Sequence, residues 1–571
     1  MKKSNNHCLP AVLLLVSMSL SPWAHAQINR DTLQQQIDAL FADADPKAPG
    51  SAILVMENQE VVFNQGYGLA NLTYNIPITP HTVFDMASVS KQFAGYAIAL
   101  LIEEGKVAKD DDIRKYIPEL PDFGETITVG HLVHHTSGLR DWTTTLSLAG
   151  RSYEDVISFD HILRMAFNQQ ALNFKPGSQY RYSNTGYEML AELVQRVTGE
   201  TFRDWTQQHI FEPLEMSQSV FLDNHREVIP NRAMGYSRAA DGTYQNTPNH
   251  VTALGSSSLF STSTDMAKWV RHLMYPTEDA QPVVRRMLQM DTLNDGSLND
   301  YAYGIAIYEF RGSDWIAHSG DWASFRTYVV LLPAYDLSVV VLNNNNQDAF
   351  ALAREVVSFC VPAPEARQET EETPAEELQE VTLTKGLLDT YTGTYKLGTG
   401  WYVHLTREGN RLYTQATNED KYPMQALSDS VLNVEDYGNR TMAFHSDASG
   451  AITHLVYNGR VCPKMSDETS FRGIKQPVEY EGDYFSAELN TWYKVVYQED
   501  QLYLWSFDHG AIPLEGVWKD DYLGSTLFTS NVEFVRDDVG AITGLSVSQY
   551  RAKNQFFSKV QMDNLVTTEM K

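Results

Sequence analysis

Ser88 and Lys91 stand three residues apart in Phe84-Asp85-Met86-Ala87-Ser88-Val89-Ser90-Lys91, ahead of a run of helix formers, Gln92 to Glu104, that stops at Gly105. Positions i and i+3 share a helical face, so the lysine amine can reach the serine hydroxyl. A hydroxyl becomes a useful nucleophile when a neighbouring base takes its proton, and a lysine in an apolar pocket loses enough basicity to share that task. At the first turn of a helix, Ser88 also meets free backbone N–H groups and a dipole that favours developing negative charge. Alone, Ser-x-x-Lys is commonly a helix cap followed by a surface lysine, but two further motifs follow. Tyr182-Ser183-Asn184 offers a phenol for acid–base work and, two residues on, an amide that can orient an acyl group. His318-Ser319-Gly320 sits in a strand-like run, where a glycine lets substrate come close to the backbone. The Asp321 N–H can then join that of Ser88 in an oxyanion hole. Taken singly, Tyr182 reads as an ordinary amphipathic tyrosine and His318 as a core histidine.

The elements that must position these groups are legible in outline. Ser51 to Met56 and Glu60 to Asn64 read as two strands joined by a short turn, and Thr327 to Pro333 and Leu337 to Leu342 as another such pair. The run after Ser88 is apolar nearly all the way round, which predicts a helix buried on every side. Phe174 to Gly186 is a Pro/Gly loop leading into a helix with Tyr187, Leu190, Leu193, Val194 and Val197 at core spacing, ending near Gly199. Strands at both ends with helices between them suggest one antiparallel sheet assembled from distant parts of the chain and covered by helices.

His131, His134 and His135 have helical spacing for metal ligation, but no acidic or cysteine ligand follows at usual spacing. A helix end with a histidine bonding backbone before Gly138 accounts for them, so neither a metal nor a cofactor is expected. The formal charge of −28 argues against nucleic acid or an anionic membrane as partner. A small-molecule or peptide substrate is the partner expected. Lys2 and Lys3, an apolar run from Leu9 to Leu20 and Ala24-His25-Ala26 read as a cleavable secretory signal peptide over 1–26, with a periplasmic or secreted mature chain and no membrane insertion. Cys360 and Cys462 remain after cleavage, and the sequence leaves open whether they are bridged or free.

The expected organisation is a catalytic domain over 27–361, an acidic Pro/Glu linker over 362–385, and two all-β repeats over 386–465 and 475–563. Tyr391-Thr-Gly393-Thr-Tyr395 matches Tyr480-Glu-Gly482-Asp-Tyr484, Leu412-Tyr413 matches Leu502-Tyr503, and Gly450-Ala-Ile-Thr453 matches Gly540-Ala-Ile-Thr543. The near-constant offset marks a duplicated unit of short alternating strands, as in a small antiparallel barrel. A packed barrel that shapes access to the Ser88 cleft is preferred to one that carries a ligand.

Together and in this chain order, Ser88-x-x-Lys91, Tyr182-Ser-Asn184 and His318-x-Gly320 resemble the motifs of the penicillin-recognising serine hydrolases. The sequence is similar to the branch that holds class C β-lactamases, D-aminopeptidases, DD-peptidases and related esterases, over roughly residues 30 to 360. His135-Thr-Ser-Gly-Leu139 and Ser261-Thr-x-x-Asp265 add to the match. The resemblance implies an α+β fold, a β-lactamase/transpeptidase-like domain followed by two lipocalin-like barrels. It also implies Ser88 as the acylated nucleophile, with Lys91 and Tyr182 handling its proton. Asn184 and His318 would position substrate beside Gly320, and the Ser88 and Asp321 amides would hold the oxyanion. Where β-lactamases and DD-peptidases usually carry lysine, this chain has His318, which is only partly charged at neutral pH. That form points to the D-aminopeptidase and esterase relatives. The activity implied is hydrolysis of a small ester, amide or D-amino-acid peptide; the alternative is a penicillin-binding sensor that is acylated without efficient turnover.

Overall fold

Three two-residue turns build most of the sheet that carries the site. Asn58-Gln59, Arg311-Gly312 and Ala323-Ser324 all have positive φ at both positions, the twist that suits a tight hairpin. They join Ser51–Glu57 to Glu60–Tyr67, Ala306–Phe310 to Ser313–Trp322, and Ser313–Trp322 to Phe325–Leu332. In the computed structural model these strands and Leu337–Asn343 form one antiparallel sheet. Its order runs from 306–310 through 313–322, 325–332, 337–343 and 51–57 to 60–67. The structure describes residues 28–361 and 381–560, apart from 399, 418, 435–439, 458, 466–476, 507–508 and 527–528. The expected signal peptide over 1–26 and most of the expected linker lie outside the described residues.

Strands 51–57 and 337–343 are buried at every position, so both faces of the sheet are covered and alternate side chains enter different cores. Ile53, Val55, Val339 and Val341 pack against helices Arg30–Leu40 and Ala349–Cys360. Ala52, Leu54, Val340 and Leu342 face the larger core around helix Lys91–Glu103. That helix is buried nearly all round, as its composition requires. At Gly95 it presses so close to the 303 main chain that a side chain would collide with Tyr303 O.

Beyond helix Lys385–Tyr391, eight strands from Gly393–Gly398 to Arg460–Pro463 follow one another in sequence order around a first barrel-like sheet. A second set of eight, Gly482–Ser486 to Ala552–Val560, closes into a barrel. The repeated Tyr-x-Gly-x-Tyr motif does the same work in each. Tyr395 Oη donates to Tyr391 O and Tyr484 Oη to Tyr480 O, while Gly393 and Gly482 take positive φ beneath Lys464 and Lys559. The first barrel holds a small pocket of about 70 Å³. Cys360 and Cys462 are both free thiols.

Candidate active site

Ser88 lies on a short 3₁₀ turn, Ala87–Ser90, that leads into helix Lys91–Glu103. The turn is forced: Ala87 has φ of 47°, a left-handed conformation that costs a non-glycine residue about 1–2 kcal/mol. Three contacts hold it. The buried Asp85 carboxylate accepts from Ala87 N at 2.9 Å and Asn249 Nδ2 at 2.5 Å, Ser90 Oγ donates to Ala87 O, and Thr327 Oγ1 donates to Met86 O at 2.9 Å. Burial pushes Asp85 up to about 6 against these partners and Arg232. Gly320 packs directly on this turn, where a Cβ would collide with Met86 O and Thr327 Oγ1. The sequence reading gave that glycine to substrate approach; what comes close is instead the backbone that carries the nucleophile.

Lys91 is fully buried and its Nζ has three neighbours: Ser88 Oγ at 3.1 Å, Asn184 Oδ1 at 2.8 Å and Ser256 O at 2.8 Å. Desolvation pulls it down to about 7, with Glu188 and Asp141 acting in the opposite direction. Asn184 begins helix Asn184–Thr198 and is itself fixed, since Asp141 Oδ2 accepts from its backbone N at 2.7 Å and its Nδ2 at 2.9 Å. The sequence reading had Asn184 orient an acyl group; the structure places it in the cleft wall with its amide bonded to Lys91 and Asp141, so that it also orients Lys91. Glu188, one turn further on the same face, accepts from Gly255 N and Ser256 N at 3.2 and 3.0 Å. It thereby sets the loop whose Ser256 carbonyl meets Lys91, and burial raises its own carboxyl to about 7.

Tyr182 is clamped by His135. Arg181 N donates to His135 O at 2.9 Å and Ser183 N to His135 Nδ1 at 3.2 Å, so both neighbours of the tyrosine are tied to one residue. Burial pushes the Tyr182 phenol well above its ordinary value, while the Ser88 hydroxyl within hydrogen-bonding reach acts to lower it. Lys91 Nζ lies 4.8 Å from the centre of its ring. His134 Nδ1 meets Tyr301 O at 2.8 Å, and Thr128 N donates to His131 Nδ1. Thus all three histidines of this segment bond main-chain groups. Among the described residues no cluster of His, Cys, Asp and Glu is placed to hold a metal ion.

His318 lies on the strand opposite, buried, with its ring centre 6.3 Å from that of Tyr182. Its Nδ1 is 2.7 Å from Ser319 O, and its Nε2 is 2.8 Å from Tyr301 Oη. A carbonyl only accepts, so Nδ1 carries the proton and Nε2 accepts from the tyrosine. Burial and Lys91 drive its pKa down to about 3, which leaves a neutral imidazole with both nitrogens engaged. Asp321, two positions beyond Ser319, lines the cleft, and its carboxylate pairs with Arg326 at 2.5 Å.

These groups open onto a cleft of about 570 Å³ that brings together Ser88, Tyr182, Asn184, His318 and Asp321. Lys91 lies beneath it and Gly320 behind it. The second barrel supplies another part of the wall, Tyr550 and Arg551. Their hairpin is fastened to the catalytic domain by its main chain: Asp141 N and Asn173 Nδ2 both donate to Arg551 O, at 3.1 and 2.9 Å, and Arg181 donates to Tyr550 O. Nearby, Arg140 is sealed against Glu488 at 2.5 Å with 3% and 7% of the side chains exposed, and Leu148 is buried in the core of the second barrel. Asp141, Glu188, Tyr301 and Arg551 were not found from sequence, and His135 was read only as bonding backbone. Glu188 had a local signal there, a charge four residues from Asn184 on a helix face that is otherwise core.

A serine on a helix-leading turn, a buried lysine beneath it and a tyrosine beside it thus stand together against one antiparallel sheet. The chain belongs to the Beta-lactamase family, whose model matches residues 33–359. It is 27% identical over 327 residues to a D-aminopeptidase of Gluconobacter oxydans, which covers 57% of this chain and 61% of that protein. It is 25% identical over 408 residues to penicillin-binding protein 4* of Bacillus subtilis, covering 66% of this chain and 88% of that one. With the D-aminopeptidase and the flp proteins of Staphylococcus aureus the match thus spans under two thirds of the relatives' length. Among solved structures, the octameric penicillin-binding protein homologue from Pyrococcus abyssi superposes with a TM-score of 0.53 at 21% identity, over 85% of this chain and 99% of that one. This likeness extends past the catalytic domain into the barrels, and the fold expected from sequence is the fold observed.

Proposed function

We propose that the protein is an exported serine hydrolase that works through an acyl-enzyme on Ser88, of D-aminopeptidase or esterase type, acting on a small ester, amide or D-amino-acid-containing peptide. The observation that carries this reading is the set of neighbours around Lys91 Nζ. Asn184 Oδ1 and Ser256 O are carbonyl oxygens and only accept. A neutral amine gives them its two N–H bonds and is left with one lone pair, directed at the Ser88 hydroxyl. Ser88 Oγ attacks the substrate carbonyl as its proton passes to Lys91, and the Ser88 and Asp321 amides face the developing oxyanion. Collapse requires a proton on the departing oxygen or nitrogen. The neutral Tyr182 phenol beside Ser88 can give it and be restored by the Lys91 ammonium. Water then repeats the sequence on the acyl-enzyme. The neutral His318 and the kinship with a D-aminopeptidase favour this reading over antibiotic hydrolysis, and the reading of 1–26 as a signal peptide supports export.

The test is intact mass against time after mixing the protein with a penicillin or a 4-nitrophenyl ester, beside Ser88→Ala. A transient adduct that requires Ser88, with steady release of product, is the expected result. An adduct that persists without turnover turns the reading to the sensor, and equal turnover by Ser88→Ala overturns it. N-terminal sequencing of secreted material should begin at Gln27.

A further inference from the structure

Three arginines meet where the second barrel docks on the catalytic domain, and their circumstances differ. Arg140 is buried against Glu488 and also donates to Lys553 O and Asn554 O. Arg181 donates to Tyr550 O and stacks on the Tyr550 ring with its guanidinium carbon 5.2 Å from the centre. Arg551 is held by its main chain instead. Its carbonyl takes two hydrogen bonds from the catalytic domain, while its guanidinium lies over the Tyr182 ring at 5.0 Å and lines the cleft. Among the described residues no carboxylate forms an ion pair with it. The carboxylate that lines the same cleft, Asp321, is already paired with Arg326. A chain of formal charge −28 thus places an unpaired cation in its reactive cleft, on a loop fastened there by backbone.

We infer that Arg551 is an anion subsite, and that the preferred substrate carries a carboxylate near the acyl carbon that Ser88 attacks. A guanidinium presents a planar pair of N–H donors that matches a carboxylate. The guanidinium lies over the Tyr182 ring, Tyr182 stands beside Ser88, and all three line one cleft, so a single small substrate can meet both Ser88 and Arg551. The charge that a lysine in the third motif would have supplied, and that the neutral His318 does not, is delivered from a different domain. The inference rests on the acyl-enzyme reading for the orientation of the substrate, but binding can be tested without turnover.

Four compounds form two pairs. On the leaving-group side, 3-acetoxybenzoate is set against its methyl ester; on the acyl side, mono(4-nitrophenyl) glutarate against its methyl ester. Calorimetry on the Ser88→Ala protein measures affinity for each. In at least one pair the acid should bind tenfold or more tighter than the ester. Arg551→Gln should reduce that ratio to within twofold, and Arg551→Lys should restore part of it. The pair that responds tells on which side of the scissile bond the anion sits. Equal binding of acid and ester in both pairs, no binding of any of the four, or an equal loss for acid and ester in Arg551→Gln overturns the inference. The last result would make Arg551 a support for Tyr182. Reaction at Ser88 is scored separately in the protein with Ser88 intact: neither an adduct nor turnover with any of the four compounds, with the acid preference present, refutes the acyl-enzyme and leaves the anion subsite standing.

Discussion

In the first barrel Leu455 pairs with Cys462 across six intervening residues, whereas in the second the equivalent Leu545 pairs with Phe557 across eleven. The five extra residues lengthen one hairpin, and that hairpin carries Tyr550 and Arg551 into the cleft. The rest of the two copies is closely parallel, down to the tyrosine that bonds a carbonyl four residues back. Among the described residues, every hydrogen bond between a barrel and the catalytic domain comes from the second copy. The first copy meets the second through Lys396 and Asp521 at 3.1 Å and through Tyr402, which stacks on Trp518 and bonds Asp521. Duplication gave two similar scaffolds, and a change confined to one turn gave one of them a share in the reactive cleft.

The comparison can be broken or sharpened by substitution. The largest effect belongs to the catalytic domain itself. Lys91→Met should lower kcat/KM by about 10²–10⁴-fold, the usual contribution of a positioned base, with the fold retained by circular dichroism. In the unaltered protein the base works only when unprotonated. Since burial holds Lys91 at about 7, kcat/KM should rise with pH and level off above an inflection near that value. His318, neutral down to about 3, should contribute no inflection of its own there. Next comes the interface of the second barrel. Glu488→Ala leaves Arg140 buried without its partner and should destabilise by about 3–5 kcal/mol in a denaturant titration. Leu148→Ala should cost about 2–4 kcal/mol by emptying a place in the second barrel's core. The smallest effect is expected in the first barrel. The exposed Lys421–Glu408 pair should change stability by less than about 1 kcal/mol when Lys421 is replaced by alanine. A loss there equal to that of Glu488→Ala would end the distinction drawn between the two copies.

Residues whose role is set by local spacing were legible in the sequence. Ser88 and Lys91 declare themselves by i, i+3 spacing before a helix, and the strands flanking Asn58-Gln59 and following His318 by short, largely apolar runs on either side of a turn. Asp141 was not legible, because as a helix cap it looks like any other aspartate, and its second task depends on Asn184 arriving from 43 residues away. His135 was read as bonding backbone; that the backbone is the one flanking Tyr182 is a fact of packing. Gly320 was given to substrate because a glycine in a strand says only that something comes close. Arg551 left a faint mark, since the repeat alignment holds through Leu545 and fails at the hairpin beyond it.

The position of Arg551 also bears on how the protein acquires its activity. Ser88 and Arg551 lie far apart in sequence yet share one cleft, so the site has two stages of assembly. The Ser88 turn, Lys91 and Tyr182 can meet once the catalytic domain has formed, but the wall that carries Arg551 waits for the second barrel to fold and dock. Domains generally fold as units, and their docking is a separate, slower event. In a refolding experiment, reaction with neutral esters should therefore return ahead of selectivity for carboxylates, and the interval between them times the docking of the two domains.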